Sequence, residues 1–227
     1  ALLDRLLGQA SAPSAARLGQ ILDKAALAGG LDLEEVADLL MVEDPDHLEA
    51  LFRTAFEIKQ KIYGNRIVLF APLYVSNLCV NNCRYCGFRR SNDQEVRRRL
   101  TQEEVAAEVR ALIRMGHKRV LLEAGEDPVH CDIDYIVDCI RTIYSVREGK
   151  GNIRRINVNI AATTTEDYRK LKEAQIGTYQ LFQETYHRPT YAFMHPSGPK
   201  HNYDWHTTAH DRAMEAGIDD VLVVSRF

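Results

Sequence analysis

The sequence lacks several features that would indicate particular classes of function. Its 29 Lys and Arg against 32 Asp and Glu give a formal net charge of −3, so there is no basic excess to neutralise nucleic-acid phosphates. The longest apolar runs, such as residues 67–75, are far shorter than the ~20 residues of a membrane-spanning helix. The first residues show no signal-peptide pattern. We therefore expect a cytoplasmic protein that acts on a small molecule, with no nucleic-acid or membrane partner.

The sequence also lacks the even number of cysteines that a disulfide framework requires. It has five, and three of them, Cys79, Cys83 and Cys86, fall within residues 79–86. This pattern favours reduced thiols that bind a metal, and soft thiolates select zinc, copper(I) or iron–sulfur clusters. No fourth cysteine lies nearby in a motif-like position, although a structural zinc site and an ordinary [4Fe–4S] cluster take four ligands. Three ligands on a four-iron cube leave one iron open.

Two alternative roles of the three cysteines stay open from their spacing alone. They could be small buried hydrophobic side chains, although the neighbouring Asn and Arg side chains make the surroundings polar. They could instead hold a zinc ion that a distant histidine completes.

The hydrophobic periodicity predicts an α/β fold preceded by helices. Residues 1–62 form a predicted N-terminal helical segment, and residues 63–227 contain five strand-helix repeats. The strands run mainly apolar, as expected where both faces of a parallel sheet are covered. The sheet could be doubly wound or closed into a barrel, and in both cases ligands bind beyond the carboxyl ends of the strands. Predicted strands cover residues 67–75, 119–124, 155–161, 178–183 and 219–224, with helices that begin at Thr101, Asp132, Thr165 and Asp204.

Four motifs follow these strands and carry a family resemblance. The spacing C-x3-C-x2-C, with the aromatic Tyr85 before the last cysteine, is similar to the signature of the radical S-adenosylmethionine (radical SAM) superfamily. The run FAPLYVSNLCVNNCRYCGF, followed by LLEAGEDP, INVNIAATT, LFQETYHRPTY and HPSGPKHNYDWHTT, resembles the tyrosine lyases of that superfamily. The sequence is more similar to the branch that matures [FeFe]-hydrogenase than to the branch of thiamine biosynthesis. The implied fold is a partial (βα) TIM-type barrel that is incomplete at the C-terminus and carries the N-terminal helical segment.

The resemblance implies two cofactors and the residues that bind them. Cys79, Cys83 and Cys86 would ligate three irons of a [4Fe–4S] cluster, and the amine and carboxylate of S-adenosylmethionine (SAM) would chelate the fourth. The SAM contacts implied are Tyr85 to adenine, the Ala124-Gly125-Glu126 motif to the ammonium through Glu126, and Glu184 to the ribose or methionyl part. Asn159 and Thr163 are further candidates, although Asn and Thr are equally expected there in turns and caps.

The resemblance also implies a reaction and partners. The substrate would be L-tyrosine, whose Cα–Cβ bond is cleaved to give p-cresol and dehydroglycine, the first stage of making CO and cyanide for [FeFe]-hydrogenase. A one-electron donor such as ferredoxin or flavodoxin and other hydrogenase maturation proteins would be partners. The alternatives are a 2-iminoacetate synthase of thiamine biosynthesis and a non-catalytic iron–sulfur electron-transfer module. The candidates for tyrosine contacts, chosen by location alone, are Tyr186, His187, His195 and Tyr203.

Some features argue against a complete activity or against further sites. The additional cysteines of the hydrogenase-maturing relatives are missing, and the final LVVSRF departs from the expected strand, so we expect a truncated chain that cannot complete CO and cyanide synthesis. His206-x3-His210 lacks the adjacent Glu of a metalloprotease helix. Cys131 and Cys139 are predicted to pack in the core. The basic residues Arg89, Arg90 and Arg97 are predicted to lie in a solvated loop, with a minor role in donor docking as the alternative.

Overall fold

The computed structural model describes residues 2–224. Its contacts divide the chain into two compact units that meet between Val68 and Leu69. The sequence predicts a boundary between residues 62 and 63, and the last helix of the first unit ends at Tyr63. Within the described residues, no helix combines the length and apolar character needed to cross a membrane.

The first unit is built from four helices with polar caps. A capping box joins Asp32 and Glu35 at the start of the third helix, and Asp44 caps the fourth, with Pro45 in its first turn. This cap and proline mark the start of the fourth helix. The helices are α1 (Leu2–Gln9), α2 (Ala15–Ala26), α3 (Leu33–Leu40) and α4 (Pro45–Tyr63).

The second unit contains a five-stranded parallel sheet whose spatial order follows the chain order. A doubly wound sheet reverses its strand order at a switch point, whereas a TIM-type barrel keeps it sequential. The sheet is therefore an arc of a (βα) barrel. Its strands are β1 (Ala71–Ser76), β2 (Arg119–Ala124), β3 (Arg155–Asn159), β4 (Tyr179–Phe182) and β5 (Val221–Val224).

Helices cover the sheet and close the core. The predicted capping box of Thr101 and Glu104 is present, and Gly116 follows that helix with a positive φ of 93°, the left-handed conformation that glycine adopts easily. Cys139 lies in the core with no exposed surface, and Cys131 packs against it, as predicted. The helices are α5 (Gln102–Arg114), α6 (Ile133–Ser145), α7 (Thr165–Glu173), α8 (Arg188–Met194), α9 (Tyr203–Thr207) and α10 (Ala209–Glu215), with a 3₁₀ turn at Pro199–His201.

Three predicted element bounds are wrong. The first strand begins at Ala71, because its neighbour β2 begins at Arg119 and offers no partner to residues 67–70. The third strand ends at Asn159, because the next two carbonyls face the Tyr179 hydroxyl instead of a ladder. The single helix predicted from Asp204 is two helices, which meet at Thr208.

Candidate active site

A cavity of about 630 Å³ lies at the carboxyl ends of β1 to β4. Cys79, Cys83 and Cys86 all line it, and they belong to a segment, residues 77–90, that we call the cysteine loop. Cys83 is buried, with 5% of its surface exposed, and burial raises the pKa of its thiol to about 11. The β-ladder register shifts between Tyr74 and Ser76, immediately before the loop.

The cysteine loop is held by Arg97. One guanidinium nitrogen donates to the carbonyl oxygens of Asn77 and Phe88, at 2.8 and 2.9 Å. The other donates to Arg89 and Asn92 at 2.6 and 3.2 Å. Only a planar fork with several donors can bond so many carbonyls at once. The prediction that Arg97 lies in a solvated loop is therefore wrong, because its charge satisfies backbone oxygens of the cysteine loop.

The Ala124-Gly125-Glu126 motif lines the same cavity. A Cβ on Gly125 would lie 2.2 Å from the Leu78 carbonyl oxygen and 3.1 Å from Cβ of Cys79. The glycine is therefore needed because the end of β2 packs directly against the cysteine loop. Glu126 accepts a 2.5 Å hydrogen bond from the Asn81 side chain, and burial raises the pKa of Glu126.

Glu184, the predicted ribose or methionyl contact, is the centre of a buried polar group. Its Oε1 accepts from the Tyr85 hydroxyl at 2.5 Å and from Lys200 Nζ at 2.9 Å. Burial raises the pKa of Glu184, but the interactions with His195, Lys200 and Tyr85 outweigh it and lower that pKa to about 2. Tyr85, predicted to contact adenine, thus uses its hydroxyl on Glu184 while its side chain lines the cavity.

Asn159 and Thr163 have different positions. Asn159 ends β3 and lines the cavity with the cysteines. Thr163 instead lines a neighbouring cavity of about 340 Å³, where its hydroxyl donates to the Asp167 carboxylate in the first turn of α7. The sequence could not separate a cap-type Thr from a ligand contact, since both follow a strand.

The four residues chosen for tyrosine contacts by location do not line the cavity in the described part of the chain. The Tyr203 hydroxyl donates to the Tyr186 carbonyl, and the His187 ring lies 2.8 Å from the Thr190 hydroxyl. His195 lies fully buried behind Tyr85.

Three residues that sequence reasoning missed shape the cavity. Asn81, 4% exposed, bridges Glu126 and the backbone N–H of Lys200. Lys200 is the only lysine or arginine among the described residues that line the cavity. His206 lines it too and donates Nε2–H to the Phe182 carbonyl oxygen at 2.9 Å, and burial lowers its pKa to about 4. The sequence carried one signal for Lys200. It ends the run HPSGPK, whose glycine and prolines predict a turn, and Gly198 adopts a φ of +97° there.

A wider groove of about 830 Å³ lies between α6 and α7 and holds no comparable chemistry. Its charged side chains pair across the groove, as Lys170 does with Asp134 at 2.8 Å. The carboxyl ends of the strands remain the candidate site.

The donor set of the cavity suits an iron–sulfur cluster. Cys79, Cys83 and Cys86 line it, and thiolates are the ligands that hold such clusters. In the part of the chain that is described, no three His, Cys, Asp or Glu side chains gather around one point that could hold a metal ion.

Comparison with known proteins agrees with this geometry. Residues 73–226 match the Radical SAM superfamily. The chain belongs to the radical SAM superfamily. Among radical SAM structures, a crystal structure of HydG, a maturase of the [FeFe]-hydrogenase, is 60% identical, with a TM-score of 0.91, over 98% of this chain and 49% of that chain. HydG from Carboxydothermus hydrogenoformans is 45% identical, with a TM-score of 0.78, over 92% of this chain and 48% of that chain.

A curated relative is a 2-iminoacetate synthase. The 2-iminoacetate synthase of Escherichia coli K12 is 32% identical over 199 residues, 88% of this chain and 51% of that protein. The chain thus spans about half the length of the curated relatives it matches. It is a radical SAM chain of the HydG and 2-iminoacetate synthase type, and membership implies a [4Fe–4S] cluster and SAM as cofactors.

Proposed function

We propose that the protein is a radical SAM lyase that cleaves the Cα–Cβ bond of L-tyrosine to p-cresol and dehydroglycine. In this proposal the reaction is the first stage of making CO and cyanide for [FeFe]-hydrogenase. The observation that carries it is the 60% identity to HydG over 98% of the chain. A ferredoxin- or flavodoxin-type donor and other hydrogenase maturation proteins are its proposed partners.

The charges of the cavity support an amino-acid ligand. SAM and tyrosine both carry an α-ammonium and an α-carboxylate. The cavity wall offers carboxylates at Glu123, Glu126 and Glu184 and a single lysine ammonium at Lys200, so both ends of such a ligand have complementary partners. Its volume of about 630 Å³ falls in the usual range of ligand sites, about 300–1,000 Å³.

The chain's own residues would bind, orient and enclose the reactants. Cys79, Cys83 and Cys86 would hold the cluster, and Glu126 would orient the SAM ammonium. When bound, the cluster and SAM supply the one-electron chemistry that generates a hydrogen-abstracting radical. Positioning within the cavity and the exclusion of water are the protein's contribution.

The second candidate is 2-iminoacetate synthase, which the 32% identity to the Escherichia coli protein favours. Both candidates share the cleavage of tyrosine and differ in what consumes dehydroglycine. Trapping CO on a haem protein during turnover would favour the hydrogenase branch. Glyoxylate is the product of hydrolysis of dehydroglycine. Detection of glyoxylate without CO would not distinguish the two candidates for this chain.

The direct test is p-cresol formation after anaerobic cluster reconstitution, with SAM, L-tyrosine and a strong reductant. We expect p-cresol from the native chain and none from Cys83→Ala, which removes one cluster ligand. Cys131→Ala removes a thiol that lies outside the cavity and is the matched control. A chain that contains its full cluster and cleaves SAM, but yields no p-cresol, would contradict the assignment of tyrosine as the substrate.

A further inference from the structure

A buried polar network in the cavity wall joins the cysteine loop to the end of β4. We call it the Glu184 network, and it consists of Tyr85, Glu184, His195 and Lys200. Glu184 is 2% exposed and His195 is fully buried. His195 Nε2 lies 2.9 Å from the Tyr85 hydroxyl and 3.3 Å from Glu184 Oε2.

Hydrogen bonds hold the members of this network in place. The Tyr191 carbonyl oxygen accepts from His195 Nδ1 at 2.9 Å, which fixes the orientation of the ring. The Tyr85 hydroxyl donates to Glu184 Oε1 at 2.5 Å and lies 2.9 Å from His195 Nε2. The Tyr85 hydroxyl is therefore held between Glu184 and His195.

His195 also faces the second carboxylate oxygen of Glu184. Glu184 Oε2 has no hydrogen-bond partner in the described part of the chain, and His195 Nε2 lies 3.3 Å from it. A buried carboxylate oxygen is costly unless a polar group faces it.

The same segment contacts the cysteine loop through its backbone. The Arg84 N–H donates to the Met194 carbonyl oxygen at 2.9 Å, and the Asn82 N–H donates to that of Ser197 at 3.1 Å. Gly198 packs so closely on Asn81 that a Cβ would lie 2.3 Å from its side-chain oxygen. Residues 194–200 therefore brace the loop on both sides of Cys83.

We propose that His195 is a positioning residue, which clamps Tyr85 to Glu184 and so fixes the part of the cysteine loop that carries Cys83 and Cys86. The inference rests on the proposed cluster site and is independent of the tyrosine reaction.

The clamp is tested by the alkylation rates of individual thiols in the cluster-free chain, read by mass spectrometry. Asn in place of His195 keeps a donor near the Tyr191 carbonyl but withdraws the contact with Tyr85. We expect His195→Asn and Tyr85→Phe each to raise the alkylation rate of Cys83 and Cys86 by about tenfold through local opening. The double variant should add nothing further, because both break the same link.

Cys139, in the core, is the internal control for global unfolding and should keep its native rate. Additive effects of the two substitutions, or unchanged rates in both, would overturn the clamp. If one of the two variants fails to fold, the alkylation rates of the other still test the contact between the two side chains. The readout does not involve p-cresol, so failure of this inference is distinct from failure of the proposed function.

Discussion

The substitution Gly125→Ala tests whether the end of β2 and the cysteine loop form one packed unit. The added Cβ would lie 2.2 Å from the Leu78 carbonyl oxygen, whereas carbon contacts are optimal near 3.5 Å, so the two backbones must separate by about 1 Å. Overpacking in a dense region costs about 1–3 kcal/mol. We expect about 2–3 kcal/mol here, because the obstructing atom is backbone and cannot rotate away.

The assay is urea unfolding followed by fluorescence of Trp205, the single tryptophan of the chain, which lies in the second unit. Gly87→Ala is the matched control, since Gly87 lines the same cavity but no atom lies within 4 Å of the place its Cβ would take. That variant should stay within about 0.5 kcal/mol of the native chain. Gly125→Ala should also bind less iron on reconstitution. Native stability together with native iron content in Gly125→Ala would refute the packing argument.

Two further predictions concern side chains around the site. Arg97→Lys should lower the free energy of unfolding by about 1–2 kcal/mol, because lysine cannot bond three carbonyls of the cysteine loop and that of Asn92 at once. Arg98→Lys, at an exposed ion pair with Glu104, is the control, and equal urea midpoints would contradict the role of Arg97. Burial lowers the pKa of His206 from 6.5 to about 4. Between these two pH values the unfolded chain binds more protons than the folded chain. The free energy of unfolding should therefore fall as the pH drops from 6.5 to 4, by up to about 3 kcal/mol. His206→Gln should flatten the stability profile between pH 6.5 and 4, and an unchanged slope in urea titrations would contradict the assignment.

Local signals in the sequence were sufficient for the elements that place the site. Apolar runs and caps locate the five strands, and parallel pairing brings their carboxyl ends together. Cys79, Cys83, Cys86 and Glu126 consequently share one cavity, as expected from positions after neighbouring strands. The first strand was predicted too long because residues 67–70 are apolar, yet they lack a partner on β2.

Contacts that depend on tertiary packing could not be predicted. Asn81 lies 45 residues from Glu126, and Tyr85 lies 99 residues from Glu184, so neither hydrogen bond has a local pattern. Arg97 appears in the sequence as one of several exposed arginines, and only the folded loop shows the carbonyls it bonds. Thr163 follows a strand as Asn159 does, but the turn before α7 directs its hydroxyl to Asp167.

The central claim is that the three cysteines hold a [4Fe–4S] cluster with one iron open to SAM. The most direct measurement is the electron paramagnetic resonance spectrum of the reconstituted, reduced chain before and after addition of SAM. A change in the cluster signal on SAM binding is the predicted result, and Cys83→Ala should show neither the native signal nor the change. An intact cluster whose signal is unaltered by saturating SAM would contradict the claim and would favour an electron-transfer module.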